Sequence, residues 1–107
     1  MNNKYCMVLT TVNSDSIKKT IIESVLEQKL AACIQSIPIH SHYIWDGSVQ
    51  EDHEQILILK TQKALYSKIE SLICDLHNYD VPQIVQVPFT DGFNPYLSWI
   101  EQSTQQD

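Results

Sequence analysis

HSHYIWDGSVQEDHEQILILK, residues 40 to 60, decides how this chain folds. At its centre, Asp46-Gly47 is the strongest hairpin signal in the sequence, because a two-residue turn needs two positions that accept positive φ. The chain reads extended on either side, from Ala31 to Trp45 and again from Ser48 to Thr61. With a two-residue turn the paired positions sum to 93, so His42 faces Glu51 and His40 faces His53. The two-residue period of a strand puts His40, His42, His53 and Glu51 on one face, where they are expected to converge. Three imidazoles and a carboxylate suit zinc, copper(II) or nickel. The competing reading is a solvated face that happens to be histidine-rich, and a register slip of one residue would scatter the set. The opposite face carries Ser41, Tyr43, Trp45, Gln50, Asp52 and Glu54. Aromatics beside carboxylates make either an intersubunit seam or the wall of a binding cleft, and the seam is favoured.

Outward from the hairpin, YCMVLTTV (5–12) is β-branched and apolar and reads as a buried strand. Ser14 or Asp15 offers an N-cap. Ile17, Ile21, Ile22 and Val25 then form one helical face running to about Lys29. A second helix starts near Lys63, with Leu65, Ile69, Leu72, Ile73 and Leu76 as its buried stripe. QIVQV (83–87) is a short strand closed by Pro88. Asn94-Pro95 caps a last helix carrying Tyr96, Leu97, Trp99 and Ile100, and the tail STQQD is expected to fray. This order predicts an α+β fold, a ferredoxin-like βαββαβ sandwich over residues 1–107 with an extra C-terminal helix. A strand over residues 32–45 reaches about 45 Å at roughly 3.3 Å per residue. The second helix covers only about 22 Å. The long central hairpin therefore overhangs its helices with apolar surface, which implies cover from a partner subunit. A bend at Pro38 that folds the ribbon back on its own sheet is the alternative.

Composition narrows the partners. The chain has 107 residues, 43% of them hydrophobic, enough for one core. Net charge is −6 and all seven basic residues are lysine, so the bidentate arginine grip on phosphate or guanine is missing and nucleic acid is not expected as a partner. No apolar run is long enough to span a membrane, and residues 1–15 lack a signal-peptide pattern. Cys6, Cys33 and Cys74 form neither a disulfide framework nor a zinc knuckle, so a reducing, cytoplasmic location is expected. Both glycines follow aspartate in turns, which rules out P-loop and Rossmann phosphate cradles.

DLHNYDVPQI (75–84) concentrates reactive side chains, yet turn chemistry explains most of it. His77 suits a helix C-terminus, Asn78 tolerates a left-handed cap, and Val81-Pro82 enforces an extended exit. Cys74 and His77, three apart, are a weak nucleophile pair without an oxyanion turn. Cys74 is either an exposed thiol or an interface residue, and Cys6 and Cys33 read as small core residues. Lys60, ending QILILK, is either a solvated strand terminus or a cation aimed into a cleft.

Taken in order, LAACIQSIP, Tyr43-x-Trp45-Asp46-Gly47, QEDHEQILILKT, LHNYDVPQI and NPYLSWI resemble the CutA divalent-cation-tolerance family over about residues 5–101. The resemblance implies a ferredoxin-like protomer in a homotrimer whose hairpins reach into neighbouring subunits. It also implies metal tolerance, copper or another divalent transition metal as ligand, a PII-like trimer architecture and no settled enzymatic activity. An intersubunit cleft would be lined by Glu54, Lys60, His77 and Tyr79, with Tyr43, Trp45, Tyr96 and Trp99 near subunit contacts. Where some members hold copper through a first-strand cysteine and a histidine pair, this chain has Thr10, and Leu76 with His77. The family's H-P-Y-x-x-P-E pattern reads His77-Asn78-Tyr79-Asp80-Val81-Pro82-Gln83, with an amide in place of a carboxylate. Three other functions stand beside metal tolerance: a signalling trimer taking a small anion at Lys60, an enzyme moving protons with His77 and Glu54, and a trimeric scaffold for another protein.

Overall fold

The structure is a computed structural model that describes residues 4–106. The expectations for residues 1–3 and for Asp107 at the end of the tail lie outside the described residues. In chain order the elements are β1 (Tyr5–Val12), α1 (Asp15–Glu27), β2 (Cys33–Trp45), β3 (Ser48–Gln62), a 3-10 turn (Lys63–Leu65), α2 (Tyr66–Leu76), β4 (Ile84–Pro88) and α3 (Asn94–Gln102). The strands form one antiparallel sheet in the order β2-β3-β1-β4. This is the expected βαββαβ order with a third helix appended.

The hairpin folds as its turn chemistry dictates. Asp46 and Gly47 both adopt positive φ, 52° and 79°, and the register runs unbroken from Cys33↔Lys60 to Trp45↔Ser48. β1 pairs with β3 only from Gln55 to Gln62, so seven cross-strand pairs, from Ile39↔Glu54 outward, stand as a bare two-stranded ribbon. The described residues extend over 44 × 27 × 21 Å. Pro38 does not fold it back: β2 runs without interruption through that residue.

Alternation along the strands divides the sheet into two faces. Val8, Val12, Leu57 and Leu59 point to the helices and pack with Ile21, Val25, Leu65, Ile69 and Ile73 in the main core. Leu72 and Leu76, expected in the same stripe, sit at its half-buried margin. On the other face, the rows Val85–Leu9–Ile58 and Thr11–Ile56–Ile37 cross the sheet with no helix over them. α3 covers only the end of this face near Tyr5, where Leu97 and Ile100 close a second small core. No helix of the described residues is long and apolar enough to cross a membrane.

Four local details are decided by contacts. Of the two candidate caps for α1, Ser14 takes the position, its Oγ accepting from the Ile17 amide at 3.3 Å. The helix ends two residues short of Lys29, which adopts left-handed φ 56° and lets the Leu30 amide donate to the Val25 carbonyl at 3.0 Å. Phe93, not Asn94, is the cap residue of α3, with Asn94 and Pro95 already inside the helix. The tail does not fray as far as Gln106. Gln62 Nε2 donates to buried Thr104 Oγ1 at 2.7 Å and the Gln105 amide to the Lys29 carbonyl at 2.8 Å, so the tail straps β3 to the end of α1.

Candidate functional site

The open face of the sheet meets the end of α2 at a cleft of about 550 Å³. Its construction begins with His77. That residue leaves the helix in an extended conformation (φ −77°, ψ 148°), its amide still bonded to the Ile73 carbonyl at 2.8 Å. The expected left-handed cap at Asn78 is absent, since among the described residues only Lys29, Asp46 and Gly47 have positive φ. The extended exit swings the imidazole onto β1. His77 Nε2 lies 2.8 Å from the Thr11 carbonyl, and the Tyr79 amide donates to His77 Nδ1 at 3.1 Å. An amide can only donate and a carbonyl only accept, so these partners assign the neutral tautomer with its proton on Nε2.

Tyr79 turns back over this ring, centroids 4.4 Å apart, and its hydroxyl donates to Glu54 Oε2 at 2.6 Å. Burial and then the Glu54 carboxylate push the phenol well above its ordinary pKa, so Tyr79 is a fixed donor at neutral pH. Across the cleft the Tyr43 hydroxyl donates to Asp52, and that hydrogen bond, ahead of burial, raises its pKa. The walls thus combine Tyr43, Trp45 and Tyr79 with the carboxylates of Asp52, Glu54 and Asp80. Gln83 also lines the cleft. A lining of this sign suits cations and disfavours anions.

Of the residues expected to line an intersubunit cleft, only some come together within a single chain. Glu54 and Tyr79 meet. His77 stands behind Tyr79 with both ring nitrogens engaged, so it reaches neither a metal nor a substrate proton without giving up a hydrogen bond, and neither ring nitrogen bonds to Cys74. Lys60 is elsewhere. It pairs with Cys33 and Met7, six residues or roughly 20 Å along β3 from Glu54. There its ammonium lies 5.8 Å from the centroid of the Tyr96 ring. Tyr96 in turn stacks on Trp99, centroids 5.8 Å apart, both rings partly exposed. Asp80 and the Thr11 carbonyl escaped the sequence reading. A motif does not say which main-chain oxygen a side chain will find, and Asp80 looked like one more turn residue.

The metal expectations are corrected in two places. The hairpin register holds, but the four-residue set does not close. His40 rests edge-on against His53, centroids 4.3 Å apart, while His42 Nδ1 lies 3.4 Å from Glu51 Oε2. Same-face neighbours on a strand stand about 6.6 Å apart and the twist of a two-stranded ribbon fans them further, so two pairs form in place of one cluster. Among the described residues no three His, Cys, Asp or Glu side chains gather closely enough to hold a metal ion. The family's copper position does not fit the metal either: Thr10 presents a fully buried hydroxyl with no partner, and His77 has no free nitrogen. The three cysteines are free, with Cys6 buried, Cys74 exposed and Cys33, against expectation, half-buried beside Lys60.

Comparison with known proteins agrees with this architecture throughout. The chain is 38% identical over 99 residues to the divalent-cation tolerance protein CutA of Thermus thermophilus, covering 92% of this chain and 96% of that one. It is also 38% identical over 100 residues to the chloroplastic CutA protein of Arabidopsis thaliana, but spans only 55% of that protein's length. The crystal structure of CutA1 from the psychrotrophic bacterium Shewanella sp. SIB1 superposes with a TM-score of 0.93 at 32% identity, covering 99% of this chain and 100% of that one. The family model described as CutA1 divalent ion tolerance protein matches residues 6–103. A family model spanning nearly the whole chain, a near-complete alignment at 38% identity and a TM-score of 0.93 lead to one conclusion: the chain belongs to the CutA1 divalent ion tolerance family.

Proposed function

We propose that the protein works as a homotrimer in divalent metal tolerance, assembled through the open sheet face and the ribbon, with no catalysis of its own. The observation that carries the assembly is the uncovered apolar face. Ile37 is 48% exposed, Trp45 56% and Val85 43%, whereas Val8, Val12, Leu57 and Leu59 on the opposite face are buried under the helices. A contiguous apolar surface of this kind, continued along a bare ribbon, is unstable in water unless another chain covers it. The trimeric number is what the family resemblance implies. Family membership supports the metal role, with copper(II) the tightest-binding candidate among divalent first-row ions on general grounds. Three free thiols support a reducing, cytoplasmic setting.

Sedimentation velocity on Trp45→Ala tests the assembly. The expected result is a folded monomer at micromolar concentration where the unsubstituted protein is a trimer. A trimer that persists in Trp45→Ala, or a monomeric unsubstituted chain, would refute the proposed seam.

A further inference from the structure

We propose that His40 and His53 form a two-point chelate for a divalent transition metal ion on the outer ribbon, with water completing the coordination shell. The site is distinct from the cleft and from the strand position at Thr10. It deepens the metal reading above and rests on that reading for its biological meaning.

Geometry carries the assignment. The two imidazoles lie directly opposite one another in the β2–β3 register, on the ribbon face that continues the helix-covered side beyond the helices. Their centroids are 4.3 Å apart with the planes inclined at 60°. A zinc–nitrogen bond of about 2.0–2.1 Å, plus about 1.1 Å from nitrogen to ring centre, puts each centroid about 3.2 Å from a bound ion. Two such rings at the right angle of a square-planar or octahedral ion have centroids about 4.5 Å apart, close to the spacing already present, whereas a tetrahedral ion needs about 5.2 Å. Neither ring bonds to any described polar group, in contrast to His77, so no hydrogen bond has to be broken for coordination.

The surroundings favour a cation. The ribbon also carries Asp46, Glu51, Asp52 and Glu54, and the whole chain has a net charge of −6, which raises the local concentration of divalent ions. A cavity of about 220 Å³ beside His53 leaves room for water ligands. Imidazole nitrogens are borderline donors, so the expected order is copper(II) above nickel and zinc, with magnesium and calcium excluded. The ladder holds both ligands at the same height on paired strands, which reduces the entropy lost on closing the chelate.

The test is isothermal titration of the full chain with copper(II) and then nickel, with native mass spectrometry for stoichiometry. One ion per chain is expected, with affinity falling at least tenfold in His40→Gln and in His53→Gln. His77→Gln, Cys74→Ser and His42→Gln are expected to leave uptake unchanged. Both hairpin positions are exposed, and unchanged circular dichroism establishes that the variants remain folded. Electron spin resonance of the copper(II) form should show nitrogen coupling that is reduced in either hairpin variant. Uptake that survives both hairpin substitutions, or is lost equally in His42→Gln or His77→Gln, would overturn the two-point site. No uptake by the unsubstituted chain would also overturn it, while the Trp45 experiment would still report separately on assembly.

Discussion

Thr10→Val should make this protein more stable, which is unusual for a substitution at a fully buried position. Thr10 lies mid-strand in β1, between Leu57 and Ile84 on its neighbours, at 0% exposure. Its Oγ1 has no hydrogen-bond partner. A buried hydroxyl left unsatisfied costs about 1–3 kcal/mol relative to water. Valine has nearly the same shape, removes that cost and adds a buried methyl worth about 0.8 kcal/mol. The expected gain is therefore about 2–4 kcal/mol. For a chain of this length the unfolding entropy is roughly 0.2 kcal/mol/K, so the melting midpoint should rise by about 9–18 °C. Thermal and urea unfolding at a single protein concentration would measure it, because assembly makes the midpoint depend on concentration. Thr10→Ser is the companion variant: it keeps the orphan hydroxyl, loses the methyl and should destabilise by about 1 kcal/mol. A Thr10→Val midpoint that is unchanged or lower would mean the hydroxyl is bonded in solution and the reasoning is wrong.

Two further outcomes follow from packing and burial. Ile73→Ala should cost about 2–5 kcal/mol in urea unfolding and half-buried Leu72→Ala only about 1–2; the opposite ranking would mean that α2 is rotated from the phase described here. Burial, partly offset by Lys63, pushes the Cys6 thiol up to about 11, so between pH 9 and about 11 the unfolded chain loses this proton while the folded chain keeps it. That component of stability is intact below pH 9 and declines by about 2–3 kcal/mol through this window; a Cys6→Ala chain that loses as much stability from pH 8 to pH 10.5 as the unsubstituted protein would refute it.

Much of the fold was legible because its signals are local. Asp46-Gly47 named the turn, and turn length alone set a register that held for thirteen cross-strand pairs. The 3.6-residue stripe of α2 marked the core side of that helix, missing only how far Leu72 and Leu76 lie at its margin. The ribbon's overhang followed from counting residues per ångström. Family membership was carried by the order of several short motifs along nearly the whole chain, each weak alone.

The site was less legible because its contacts join distant segments through groups that residue identity does not encode. His77 looks like a ligand in sequence, and only the fold shows that the Thr11 carbonyl and the Tyr79 amide occupy both of its nitrogens. Glu54 and Lys60 point to the same face, but their separation along one strand is fixed by the 3.3 Å rise. The tail looked free because its partners, Gln62 and the Lys29 carbonyl, lie far away in sequence. The hairpin histidines show the division most clearly. Turn chemistry determined by itself that His40 faces His53 and His42 faces Glu51. Whether four side chains make one cluster or two pairs depended on rise and twist accumulated along the ribbon, a property of the assembled backbone rather than of any residue in it.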